Sequence, residues 1–427
     1  MHEVCEIARD LIRFDTSNYG NGHAKGERKA AEYVCALLEE VGLHPQIFEA
    51  EPGRTNVIAR WQGRDPTAPA LLLHGHLDVV PADASEWTVD PFAGIVKDGM
   101  LWGRGAVDMK DMNAMILATV RSMMRAGEQP NRDVVLAFFA DEEAGSDLGA
   151  RWMVEQHPEV FTGVSAAISE VGGFSVDIRG RNVYLVQTAE KGLMWLRLRA
   201  KGKAGHASQV HTYNPLIALA EAVVRLDNAK WPIMMTRTTT ELDAKLREIG
   251  SFQASVSAMD VARSTGACAA FVTAGLHNLL NVTMFNAGYK QNVVPDSANA
   301  LVDVRFLPGQ RDHVLAKVHE LIGPDIEVEI ETELVALETE FPGPLFDAIS
   351  ATIDKCDPVG EVVPYMTPAG TDNKALAQLG ISGLGFVPLR LPADFDFPAM
   401  FHGVDERVPL DALVFGQEVL TELLRAY

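Results

Sequence analysis

Five places in this chain put histidine or acidic side chains where a buried segment gives way to a loop. The first is Leu71-Leu-Leu-His-Gly-His-Leu-Asp-Val-Val-Pro81, an apolar run that leads into His76 and Asp78. Residues two apart along a strand project to the same side. An imidazole there could bind a metal while a nearby carboxylate fixes its tautomer. The others are Asp108, in a glycine-rich loop; Glu142-Glu143, after the apolar run 133–140; Glu170, after 165–169; and His402, in the loop 394–405. Histidine and carboxylate without cysteine form a ligand set for Zn²⁺, Mn²⁺ or Co²⁺. One carboxylate bridging two ions, each with a further His and carboxylate, makes a hydrolytic centre. Of two consecutive glutamates, one can be a ligand and the other a base. Each residue alone has a plainer reading: strand-end or loop histidine, turn aspartate, surface charge. Spacing leaves their convergence open.

The segments that must position these residues alternate between strand and helix. Val4 to Phe14 and Arg28 to Val41 carry apolar residues at helical spacing, with Gly42 placed to end the second. Strands are expected at 44–49 and 56–61, around a Pro52-Gly53 turn, and then at 71–76, 133–140 and 165–169. Asp111 is expected to cap a helix over 112–124. This alternation predicts an α/β fold: a three-layer domain with a mostly parallel sheet, whose strand ends would hold the site.

The pattern changes after residue 186. Leu193 to Ala200 places Met194, Leu196 and Leu198 on one face and Trp195, Arg197 and Arg199 on the other, the signature of a half-solvated strand. A helix over 215–226, two strands around 292–305, a helix over 312–321 and a strand over 326–331 complete the order β-α-β-β-α-β of a ferredoxin-like motif. We therefore expect catalytic-domain segments at 1–186 and 339–427. Between them, 187–338 would be an inserted α+β lid domain with an extra, largely helical segment at 227–282.

Composition narrows the setting. A chain of 427 residues with 47% hydrophobic content exceeds one ordinary core, so two domains are expected, with three as the alternative. A net charge of −21 argues against nucleic acid or an anionic membrane as partner and would suit cation binding. The four cysteines, Cys5, Cys35, Cys268 and Cys356, form no CxxC pair. With no signal-like N-terminus and no apolar run of membrane-spanning length, the expectation is a cytoplasmic protein.

Taken together, Gly75-His76-Leu-Asp78-Val-Val-Pro81, Gly103-Arg-Gly-Ala-Val-Asp108-Met-Lys110, Asp141-Glu142-Glu143-Ala-Gly145, Ser169-Glu170 and His402-Gly-Val-Asp405-Glu406 resemble the M20 family of metallopeptidases. That family includes glutamate carboxypeptidase, deacetylases, desuccinylases, aminoacylases and dipeptidases. The resemblance implies two divalent metal ions, zinc or alternatively cobalt or manganese. His76 and Glu170 would hold one, Glu143 and His402 the other, and Asp108 would bridge them. It further implies Asp78 as the residue orienting His76, Glu142 as general base, and a cis peptide at Asp108-Met109. His74 has no such role and reads as a packed strand residue.

Lys203-Ala-Gly-His206-Ala-Ser208 resembles the family's lid motif, whose histidine stabilises an oxyanion and in dimeric members comes from the partner subunit. Asn292 and Arg305 match the segment that takes the substrate's carboxylate, although a local ion pair with Asp303 is the alternative for Arg305. Gly370 and Thr371 resemble a pocket-lining loop. Asp111-Met112 and Ala369 stand where the family often has glycine. The segment 227–282 also departs from the pattern; it could wall the pocket, cover a dimerisation edge or add an interface. The implied activity is hydrolysis of the amide bond of an N-acyl amino acid or a C-terminal peptide bond, by a homodimer. Glutamate rather than aspartate at 170 favours that branch over the dipeptidases, which remain the alternative. A non-catalytic homologue is the remote one.

Overall fold

In the computed structural model, which describes residues 1–427, two sheets organise the chain. The larger has ten strands. At its centre Val134–Phe139, Ala70–His76, Val164–Ser169 and Ser382–Gly385 run parallel in that spatial order. Every residue of Ala70–His76 and Val134–Phe139 is buried. This is why both read as unbroken apolar runs rather than alternating ones: helices cover both faces of a parallel sheet. The margins are antiparallel. Arg54–Trp61 and Gln46–Glu51 form a hairpin on one side, and Ser175–Ile178 pairs with Arg181–Glu190 on the other. Gly360–Thr367 lies parallel beside Arg181–Glu190. The sheet is thus mixed, with a parallel centre.

Because the central strands are parallel, their C-terminal ends share one edge of the sheet. His76, the 141–143 turn and Glu170 all leave the sheet at that edge. The helix Lys110–Arg125 packs behind Ala70–His76. Met109, rather than an aspartate, occupies its N-cap position. Asp111 is therefore not the cap: it lies in the first turn, fully buried, with Oδ1 accepting only the Met112 N–H at 2.8 Å. The Asp108-Met109 peptide is cis.

The smaller sheet places Leu279–Ala287, Ser297–Phe306, Gly192–Lys201 and Ile326–Leu334 side by side, every neighbour antiparallel. In chain order that is second, third, first, fourth, the ferredoxin-like arrangement. Ser297–Phe306 buries every second residue. Met194, Leu196, Leu198, Val302 and Val304 form its core with Leu219 and Val318 from the helices Pro215–Asp227 and Arg311–Ile322.

Residues 227–282 are largely helical, with Arg237–Gly250, Ala258–Arg263 and Ala269–Ala274. Their apolar faces do not cover the small sheet. Arg237–Gly250 and Ala269–Ala274 pack on Gly360–Thr367, and Leu242, Leu246, Val261 and Val272 join the large core. Leu246→Ala should therefore lower the unfolding free energy of the large core by about 2–5 kcal/mol. Equilibrium denaturation checks this; an unchanged main transition would mean that the helices fold apart from that core.

Candidate metal centre

His76 ends its strand with both ring nitrogens engaged. Nδ1 donates to the main-chain oxygen of Asp78 at 2.9 Å, which leaves the Nε2 lone pair facing outward. Nε2 lies 3.0 Å from Asp108 Oδ1 and 3.5 Å from Glu170 Oε2. The other oxygen of Asp108, Oδ2, lies 3.3 Å from His402 Nε2, which is also 3.2 Å from Glu143 Oε2. Two triads result, His76–Asp108–Glu170 and Asp108–Glu143–His402, each with donor atoms within 4.8 Å of one another and with Asp108 common to both. His402 reaches inward from a left-handed backbone, φ +56°. Glu143 Oε1 is buried and has no hydrogen-bond partner.

Asp78 is fully buried, and its carboxylate does more than face the imidazole. Its Oδ1, 3.5 Å from His76 Nδ1, accepts the Glu142 N–H at 3.1 Å, and Oδ2 accepts the Glu143 N–H at 3.2 Å. Asp78 thereby sets the turn that carries the two glutamates. The Glu142 carboxylate itself forms no hydrogen bond or ion pair within the chain, and only its main-chain groups are engaged, the N–H with Asp78 and the carbonyl with the Gly145 N–H.

Electrostatics follow from this crowding. Burial, reinforced by Glu170, raises Glu142 well above the usual carboxylate range. Burial raises Glu170 to about 8, partly offset by His76. For His76, burial favours the neutral ring, but Glu170, Asp108 and Asp78 outweigh it and raise the pKa well above the usual value. Hydrogen bonds to Asp108 and Glu143 raise His402 to about 10. Asp108, between two imidazoles, is held below its ordinary value despite burial. Without metal, the raised groups bind protons more tightly than they would in an unfolded chain.

Several residues that hold the site were assigned no role from sequence. Glu406, fully buried, accepts the N–H groups of Gly105, Val107 and Asp108 at 3.0, 2.7 and 3.2 Å and pairs with Arg104 at 2.7 Å. Arg104 also donates to the His402 carbonyl at 3.3 Å, so one ion pair joins both loops. Asn18 bridges Asp78 and Asp141, and Arg54 pairs with Asp141 at 2.8 Å and Glu27 at 2.9 Å. Asn113 Nδ2 donates to the His76 carbonyl at 2.6 Å. Glu406 and Arg104 lie within the segments 402–406 and 103–110 that resemble the family; Asn18, Arg54 and Asn113 carry no signal of spacing or composition.

The expected lid residues form no hydrogen bond or ion pair with this cluster. His206 is exposed; its ring meets Ser208 Oγ at 2.8 Å and its carbonyl meets His211, with no bond to the triads. Asn292 is its neighbour through the Ala207 N–H, at 3.0 Å. Arg305 forms the ion pair with Asp303, through Nε at 2.7 Å and Nη2 at 3.0 Å. Thr371 is held by Glu190, and a Cβ at Gly370 would come within 2.5 Å of Lys374 Cε, so close packing explains that glycine. His74 bonds Asn373 at 3.0 Å inside the sheet layers.

Residues 72–426 match the family model described as peptidase family M20/M25/M40. The chain belongs to this family. Among M20 relatives, it is 27% identical to an N-fatty-acyl-amino acid synthase/hydrolase PM20D1 from Xenopus tropicalis, covering 99% of this chain and 85% of the relative. It is 28% identical to aminoacylase-1 from Sus scrofa, covering 92% and 89% respectively. Its fold resembles the M20 metallo-carboxypeptidase Sso-CP2 from Sulfolobus solfataricus, with a TM-score of 0.76 at 20% identity, covering 100% of this chain and 99% of that one. No helix is long and apolar enough to cross a membrane.

The raised pKa values give a signed prediction for the metal-free M20 chain. Folded Glu170, His76 and His402 bind protons more tightly than their unfolded counterparts, so their contribution is greatest at low pH and is lost as pH rises. For Glu170 the loss runs from roughly pH 4.5, the unfolded range, to about 8. Chelated protein should therefore melt at a lower temperature at pH 8 than at pH 6, and added Zn²⁺ should flatten that slope. Calorimetry at both pH values checks it.

Proposed function

We propose that this chain is a two-metal amidohydrolase that cleaves the amide bond of N-acyl amino acids. The carrying observation is that the two oxygens of Asp108 face two different triads, each with its own histidine and glutamate. In this reading His76 and Glu170 would hold one divalent ion and Glu143 and His402 the other, with Asp108 facing both triads. The donor set, nitrogen and oxygen without sulfur, fits Zn²⁺, with Co²⁺ or Mn²⁺ as alternatives. The unpartnered buried oxygen of Glu143 fits a ligand that would otherwise be costly to bury. When bound, such ions polarise a scissile carbonyl and acidify water.

The chain's own groups divide the remaining work. Glu142, whose carboxylate has no partner in the chain, takes a proton from the attacking water and returns it to the leaving amine. Asp78 holds the main-chain N–H groups of Glu142 and Glu143, which keeps base and ligand at a fixed offset. Arg305 and Asn292 would receive the substrate carboxylate, and His206 the developing oxyanion. The exposure of His206 supports a homodimer in which it serves the partner's cleft. N-acyl amino acids are favoured over dipeptides by the likeness to an N-fatty-acyl-amino acid synthase/hydrolase and to aminoacylase-1, at 26–29% identity over most of the chain.

A panel of N-acyl amino acids and dipeptides, assayed with Zn²⁺, Co²⁺ and Mn²⁺ by the amine released, tests this reading. Hydrolysis of dipeptides alone would move the chain to the dipeptidase branch. Glu142→Gln should lower kcat by about 10²–10⁴-fold at unchanged metal content, as expected for loss of a general base. Mixing inactive Glu142→Gln and His206→Ala chains should regain activity if each cleft borrows its histidine from the partner. Absence of recovery in a proven mixed dimer would remove the shared-site part of the reading.

A further inference from the structure

The large and small sheets are joined by strands that pass from one to the other. Outward, Arg181–Glu190 gives way to Gly192–Lys201 with only Lys191 between them. On return, Val335 and Ala336 separate Ile326–Leu334 from Leu337–Glu338, which pairs back onto Ala189 and Glu190. The two crossings therefore run side by side. Two further crossings flank the inserted helices, tied by the Met234 N–H to the Leu276 carbonyl at 2.9 Å.

A single buried ammonium fastens the first pair. Lys374 Nζ donates to the Lys191 carbonyl at 2.7 Å and to the Val335 carbonyl at 2.6 Å, and lies 3.4 Å from Glu190 Oε2. Its three N–H donors thus meet one acceptor from each crossing and the last carboxylate of the large sheet's strand. Glu190 is in turn fixed by the Thr371 N–H at 3.0 Å and the Thr371 hydroxyl at 2.6 Å. The same short segment reaches the acidic cluster. Asp372 accepts the Ser146 hydroxyl at 2.5 Å, and the Ser146 N–H donates to the Asp141 carbonyl at 2.7 Å, at the turn carrying Glu142 and Glu143.

We infer that Lys374 is a positioning residue that locks the lid's orientation to the metal-binding edge by stapling both sheet-to-sheet crossings. It touches no ligand of the cluster. Its effect is on where Arg305 and Asn292 sit relative to Glu142. Methionine has similar bulk but no donor, so Lys374→Met would leave the buried Lys191 carbonyl without its partner, break the part-buried bond to the Val335 carbonyl and free the crossings to flex.

The test measures geometry directly. Spin labels at Lys29→Cys and His313→Cys, both exposed, report catalytic domain to lid in a Cys356→Ser background, which removes the one cysteine that is not buried. Labelled chain is diluted with unlabelled chain so that only distances within one chain are read. Lys374→Met should broaden or shift the distance distribution at unchanged metal content. Glu190→Gln should do so to a smaller degree, and it decides the matter if Lys374→Met does not fold. A distribution identical to that of the parent in a folded variant overturns the proposal. The kinetic corollary, a rise of KM exceeding any fall in kcat, rests on the proposed function; the distance measurement does not, so the two can fail separately.

Discussion

Asp108, Glu142, Glu143 and Glu170 share one pocket with the buried imidazole of His76 and the exposed one of His402, and the mutual repulsion of those carboxylates is what the surrounding structure must withstand. The donor atoms of each triad lie within 4.8 Å of one another, and at such separations in a partly dry interior like charges cost several kcal/mol. His76 and the Glu142–Glu143 turn cannot relax that cost by moving far, because they end strands whose every residue is buried, while Asp108 and His402 are held by loops. A sheet with a parallel centre suits the task. It delivers three strand ends to one edge from a scaffold with no free surface on which to slip.

The permanent positive charges stand in the next ring outward, while only the two imidazoles face the carboxylates in the pocket. Arg54 sits between Glu27 and Asp141, and Arg104 sits against Glu406, all largely buried. These pairs hold backbone rather than neutralise ligands: Glu406 gathers three consecutive-turn N–H groups of the Asp108 loop, and Asn18 links Asp78 to Asp141. The result is a pocket whose oxygens are oriented towards two imidazoles and paired with no arginine or lysine. Divalent cations are the species such a donor set accommodates, and an apolar replacement of any outer pair would release the loop rather than the ligand.

How much of this could be read from the chain depended on whether a residue's partner lies nearby in sequence. Leu71–Leu73 and Val134–Phe139 are apolar runs that end in charge, and such an ending marks a buried strand with its polar terminus at an edge. The alternation of Ser297–Phe306 similarly displays a half-solvated strand. Glu406, by contrast, acts on backbone about 300 residues away, and Asn18 meets Asp141 across 123 positions. No local pattern encodes such pairings. The inserted helices were legible as helices, because amphipathicity is local. Which sheet they cover was not, because an apolar stripe names no partner. Asp111 looked like a cap because aspartate before an apolar stripe usually is one. Here the helix starts earlier, at Lys110, and the carboxylate is carried inside.

The lid poses the complementary problem. Arg305 is proposed to receive a carboxylate, yet the structure pairs it with Asp303. The two are compatible in the geometry of the fork. Asp303 engages Nε and Nη2, and Trp195 Nε1 donates to Asp303 Oδ2 at 3.0 Å, which fixes that carboxylate in turn. The Nη1 donors remain outside the pair. A guanidinium held in this way loses little side-chain freedom when an anion arrives, so the ion pair acts to preorganise it rather than to compete. That advantage holds only if the strand bearing Arg305 keeps a fixed relation to the acidic edge. Positioning within the lid and fastening of the lid are therefore parts of one requirement.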